Sequence, residues 1–163
     1  MKIPIVVFSI LLSMPGLVLG HDPGLSLAEV RLGPHAMTTS QIFVQDDLAP
    51  LLEHAPLLPW TPNSFPETDL RRLAAAGIGL RIGGKFEAPA TVEVGSTAGD
   101  AVFLRTRFPY PPGPAIRIEV PLLGQLARGH RQHLTVRTQS GEILGRYTLK
   151  ADNDAIVLGD VKP

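Results

Sequence analysis

The feature that most constrains this chain is a hydrophobic period of two. Ile78, Leu80 and Ile82 alternate with Gly79 and Arg81. Val102, Leu104, Thr106 and Phe108 alternate with Phe103, Arg105 and Arg107, and Ile116, Ile118 and Val120 alternate with Arg117 and Glu119. Successive strand residues point to opposite faces, so each run reads as a half-buried strand with one packed and one wet side. Further strands are expected at Ser26–Leu32, Gln41–Gln45, Thr91–Gly95, His133–Thr138, Ile143–Lys150 and Ala155–Leu158. Turn residues separate them: Gly83-Gly84, Ser96–Asp100, Pro109–Pro114, Ser140-Gly141 and Asp152–Asp154. Many short strands so spaced predict a mainly β fold, an immunoglobulin-like antiparallel β-sandwich.

One segment breaks the pattern. Across Pro66–Ala76, Leu70, Leu73 and Ala74 recur at helical spacing and Gly77 follows as a terminator, which predicts one short helix. A second short turn is expected at Asp47–Glu53. Between them Pro56–Pro66 carries four prolines and Trp60, and reads as a crossover loop with Trp60 as a packing anchor.

The first residues follow a different logic. Lys2 precedes an apolar run from Ile3 to Leu12, then Met14-Pro15-Gly16 and a small-residue end at Val18-Leu19-Gly20. This is the form of a secretory signal peptide over residues 1–20. An uncleaved anchor is the weaker alternative, because the run is short for a bilayer and Pro15-Gly16 would break a continued helix. Cleavage of the 163-residue chain leaves one domain, 21–163, of 143 residues with 14 basic and 15 acidic side chains. Near-neutrality gives no electrostatic case for nucleic acid, and no later segment is apolar enough for a transmembrane helix. The mature protein is expected in the periplasm or secreted.

The chain has no cysteine, so any metal site must be built from nitrogen and oxygen. Cleavage after Gly20 would expose His21, which offers an α-amine and an imidazole from one residue and suits Cu(II) or Ni(II) in a tetragonal site. The bland alternative is that His21 is only where the peptidase cuts. His35 and His54 read as solvated or core histidines. Gly129-His130-Arg131-Gln132-His133 is the densest polar cluster. If a strand runs through it, parity with Leu134 and Val136 puts His130 on the packed side and His133 on the other, so one of them would partner His21 more easily than both together. The candidate metal ligands are therefore His21, Asp22, His130 and His133, against a hydrogen-bonding role for His130 or Arg131 at a strand end.

Three stretches resemble a known family. His21-Asp22-Pro23-Gly24-Leu25-Ser26, the Ala28-Glu29-Val30-Arg31-Leu32 strand and Gly129-His130-Arg131-Gln132 resemble the extracytoplasmic N-terminal region of HupE/UreJ-type hydrogenase and urease accessory membrane proteins. A short helix around Thr68–Ala76, a strand at Leu80–Gly84 turning at glycine, and two or three alternating strands follow in the same order, so the resemblance spans most of residues 21–158. It implies a role in metal homeostasis, with His21 and His130 as the matching polar positions and a membrane metal permease as partner. The family's helical membrane part has no counterpart in the resemblance, so transport does not carry over. A second resemblance, to small periplasmic copper-binding sandwiches that begin with histidine, rests on His21 and the fold class.

Enzyme machinery is absent from the sequence motifs: there is no His-Glu-x-x-His, Gly-x-Ser-x-Gly, phosphate-binding Gly-rich Lys loop or dinucleotide fingerprint. Asp46-Asp47 and Asp152/Asp154 read as turn residues that cap backbone. The competing class is an envelope interaction module with no metal role, presenting an arginine-bearing face (Arg105, Arg107, Arg117, Arg137). Arginine is favoured at interfaces, although a wet sheet face carries charge in any case.

Overall fold

The computed structural model describes residues 24–52, 67–96, 101–110 and 115–159. The expected signal peptide, His21, Asp22, His54 and the Trp60 loop lie outside the described residues.

Among the described residues ten strands form two sheets. They are β1 (Leu25–Leu32), β2 (Ala36–Val44), β3 (Gly79–Ile82), β4 (Lys85–Glu87), β5 (Thr91–Ser96), β6 (Ala101–Pro109), β7 (Ile116–Glu119), β8 (Arg131–Thr138), β9 (Ile143–Leu149) and β10 (Ala155–Leu158). The larger sheet has the order β5-β6-β2-β1-β8-β9 and the smaller β10-β7-β3-β4. The mainly β expectation is met. Inward residues of both sheets, among them Val30, Phe43, Leu104 and Leu134 from one and Leu80, Ile118 and Ile156 from the other, belong to one hydrophobic core.

Three details depart from the sequence reading. The pairing is not wholly antiparallel, because β1 runs parallel to β8 with Ser26 opposite Gln132 and Val30 opposite Val136. Period-two alternation reports which face a residue occupies and is silent on the direction of its neighbour. Second, β2 begins at Ala36 rather than Gln41. Its inward residues are Met37, Thr39, Gln41 and Phe43, and inward Thr39 shares a hydrogen bond with Thr106 of β6, so polar side chains hide the apolar alternation. Third, Gly83-Gly84, with φ of 57° and 81°, joins β3 to the three-residue β4. That is the backbone of a two-residue hairpin, and β4 is too short to show a pattern of its own.

The expected helix is α2 (Glu67–Gly77), and a four-residue α1 (Gln45–Leu48) and two 3-10 turns (Ala49–Leu51, Pro121–Gly124) accompany it, so the single expected helix is one of two among the described residues. In α2, Asp69, Leu70, Leu73, Ala74 and Gly77 are the buried positions, and the helix packs on β5, β6 and the Pro121–Gly124 turn. Glycine ends it for a packing reason: a Cβ on Gly77 would collide with the side-chain amide of Gln41. Among the described residues no helix is long and apolar enough to cross a membrane.

Candidate metal-binding corner

β1 and β8 start at the same end of the larger sheet because they are parallel, and antiparallel β2 finishes there and passes into α1. Three distant segments therefore meet at one corner. The turn before β8 is set by Gly129, whose φ of 91° favours glycine, and the His130 N–H donates to the Ala127 carbonyl at 3.0 Å. The next amide, Arg131 N–H, donates to the Gly24 carbonyl at 2.7 Å. The chain just after residues 21–23 thus lies against His130 and Arg131.

His130 faces inward with Gln132, Leu134 and Val136, and only 3 % of it is exposed. Its Nε2 shares a hydrogen bond of 3.0 Å with the hydroxyl of Ser26, itself 1 % exposed. On the other side Nδ1 faces Oδ2 of Asp47 at 3.8 Å. That distance is too long for a hydrogen bond, and both atoms are buried with no hydrogen-bonding partner among the described residues. Loss of hydration pushes the His130 pKa below its ordinary value, with the Asp47 carboxylate pulling the other way. The imidazole is accordingly held neutral near pH 7, and the pair is not an ion pair in that state. The Phe43 ring lies 6.2 Å from the imidazole, tilted by 31°.

The polar corner extends to three glutamines. Gln132 Nε2 donates to Gln41 Oε1 at 3.2 Å, while Gln41 Nε2, Gln45 Oε1 and Gln132 Oε1 are buried without a partner among the described residues. A buried amide or carboxylate oxygen without a partner costs about 1–3 kcal/mol.

Serine at Nε2 and aspartate at Nδ1 reproduce the atom order of a Ser-His-Asp triad. Ser26 lies on the inward face of β1, however, and is itself buried. In the tautomer that donates Nε2–H to Ser26, Nδ1 presents a lone pair, and the 3.8 Å gap to Asp47 Oδ2 is within the ~4 Å that two donors with bonds of about 2 Å can span.

His133 is placed apart, as parity predicts. It lies on the outer face, where Nδ1 shares a 3.1 Å hydrogen bond with Thr148 of β9. The structure therefore brings His130 and Asp47 together and separates His133 from both. No group of three or more histidine and acidic side chains converges among the described residues. Asp47 escaped the sequence reading, since an aspartate beside another in a turn has an ordinary capping explanation. Ser26 and Gln132 did carry a signal, as polar residues at positions whose strand parity is otherwise apolar.

The arginines named above do not share a face. Arg105, Arg107 and Arg137 lie on the outer face of the larger sheet, and Arg117 is on the smaller one. There Arg117 and Arg81 both bind Glu119, at 2.7 and 3.0 Å. The bond from Arg117 is the main reason the Glu119 carboxyl is held below its usual range.

Neither a protein-family model nor a curated protein matches the chain. What the corner can do rests on its own residues.

Proposed function

We propose that this chain is an exported, non-enzymatic protein of immunoglobulin-like sandwich form that binds or delivers a transition metal, Cu(II) or Ni(II). Its ligands would be the α-amine and imidazole of His21, with Asp22 in reach, together with Nδ1 of His130 and Oδ2 of Asp47. The observation that carries this reading is the meeting of an unpartnered, buried histidine–aspartate pair with the start of β1 at one corner. From Gly24 back to His21 is three residues, a reach of about 10 Å in extended chain. The resemblance to the HupE/UreJ-type extracytoplasmic region points to the same two histidines, and a membrane metal permease would be the natural recipient in the periplasm. His133 falls outside this ligand set.

Binding rather than catalysis is inferred from the burial of Ser26. All of these ligands bind deprotonated, so affinity falls on acidification as protons compete for the α-amine and imidazoles. The test is a Cu(II) and Ni(II) titration of the protein starting at His21, beside a version with one extra glycine ahead of it. Loss of the free α-amine at the histidine is expected to weaken binding by at least about tenfold, the worth of roughly one hydrogen-bond-scale interaction of 1.4 kcal/mol. Equal affinity in the two proteins would refute the reading.

The second reading, an envelope interaction module without metal, has its own observation in the charge of the outer face.

A further inference from the structure

The zero net charge of the chain conceals a basic strip on the outer face of the larger sheet. Cross-strand register places Arg107, Thr38, Arg31 and Arg137 side by side in one row, and Glu93, Arg105, Ser40, Glu29, Thr135 and Arg146 in the next. Five arginines in these rows face two glutamates. Arg31 and Arg137 are direct cross-strand partners, an arrangement of like charges that destabilises a sheet unless something neutralises it. Glu29 does so for both: one carboxylate oxygen accepts from Arg31 Nε at 2.5 Å and the other from Arg137 Nε at 3.1 Å. Glu93 lies 4.0 Å from Arg105. Arg107 is paired with no carboxylate among the described residues.

Beside Arg107 an open cleft of about 420 Å³ is bounded by Arg31, His35, Thr38 and Gln139 with the Gly33-Pro34 turn. Thr38 stands between the two arginines in the row, and adjacent strands are about 4.8 Å apart. Two long guanidinium side chains rooted on either side of one hydroxyl can converge on one group above it. The side chains of Arg31, Arg107, His35, Thr38 and Gln139 can all donate; of the two carboxylates in these rows, Glu29 has both oxygens engaged and Glu93 lies beside Arg105. The groups that such a donor set recognises are oxyanions, and guanidinium pairs match the geometry of phosphate in particular.

We propose that this cleft binds the phosphate group of a small soluble ligand, held between Arg31 and Arg107 with the Thr38 hydroxyl as central donor. The site stands apart from the metal reading, because it lies on the opposite face from His130 and uses none of the same residues.

The probe is inorganic phosphate, titrated against backbone amide signals with chloride at matched ionic strength as reference. Saturable shifts confined to residues 31–39, 107 and 139 are expected. Arg107→Gln should weaken the binding by about tenfold or more, as expected for losing a charge-assisted bidentate contact. Arg146→Gln removes the same charge from the neighbouring row on another strand and should change it by less than about twofold. Both positions are exposed, so unchanged urea midpoints will show that the variants fold. Three results would overturn the proposal: no saturable response beyond chloride, equal weakening by the two variants, or binding to phosphatidylcholine vesicles doped with phosphatidic acid without any response to free phosphate, which would assign the face to a membrane surface. Shifts lost in Arg107→Gln and kept in Arg146→Gln support it.

Discussion

The two faces of the larger sheet each carry a polar patch, and each is organised by its access to water. At the inner corner His130 and the glutamines are removed from solvent with Oδ2 of the partly buried Asp47, and several of their atoms lack partners among the described residues. On the outer face Arg31 and Arg107 are exposed and Arg137 is partly so; Glu29 binds Arg31 and Arg137, while Arg107 is paired with no carboxylate among the described residues. An unpaired polar atom inside costs its full desolvation, so it asks for a ligand at close quarters. An unpaired guanidinium outside costs little and attracts anions at a distance. The same alternation that separates His130 from His133 by face thus gives one strand two unlike chemistries.

The contrast can be broken first at the two histidines. His130→Ala removes a buried ring and strips Ser26 of its partner, and should cost about 2–4 kcal/mol in urea unfolding. His133→Ala, exposed and bonded only to Thr148, should cost no more than about 0.5 kcal/mol. Similar losses would mean that burial does not distinguish them.

The next effect appears in the pH dependence. Burial lowers the His130 pKa in the folded state, so below the unfolded value of about 6.5 the unfolded chain binds the extra proton. The contribution is whole above that pH and declines as pH falls towards the folded pKa, with a slope of at most about 1.4 kcal/mol per pH unit. Stability curves of the native protein and His130→Gln should therefore converge on acidification through that window. Parallel curves would show that the imidazole is not excluded from water.

On the outer face the changes are smaller. Glu29→Gln leaves Arg31 and Arg137 opposite each other without a neutralising charge and should cost about 1 kcal/mol or less, shrinking in high salt. Arg107→Gln should leave stability within about 0.5 kcal/mol. A large, salt-insensitive loss in Glu29→Gln would show that the outer patch is organised like the inner one.

Much of this contrast is legible in the sequence, and its most specific part is not. The alternation at Val102–Phe108 and Ile116–Val120 locates strands and their faces, and the parity of His130 against Leu134 and Val136 assigns it inward. Alternation fails where a polar residue faces inward, as Thr39 does in the first half of β2. It also cannot reveal that β1 and β8 are parallel, the pairing that carries Gly24 to His130. Asp47 reaches the corner on a helix of four residues, too short to leave a periodic trace. Local patterns set the face of each residue, whereas the meeting of three chain segments depends on pairing partners far apart in sequence.

The most direct test of the metal reading is to count the nitrogen atoms bound to Cu(II) by pulsed electron paramagnetic resonance, in the protein starting at His21 and in its His130→Gln and His133→Gln variants. The predicted result is a site with the α-amine and two imidazoles, one imidazole signal being lost in His130→Gln and none in His133→Gln. An unchanged count in His130→Gln, or a loss in His133→Gln, would contradict it.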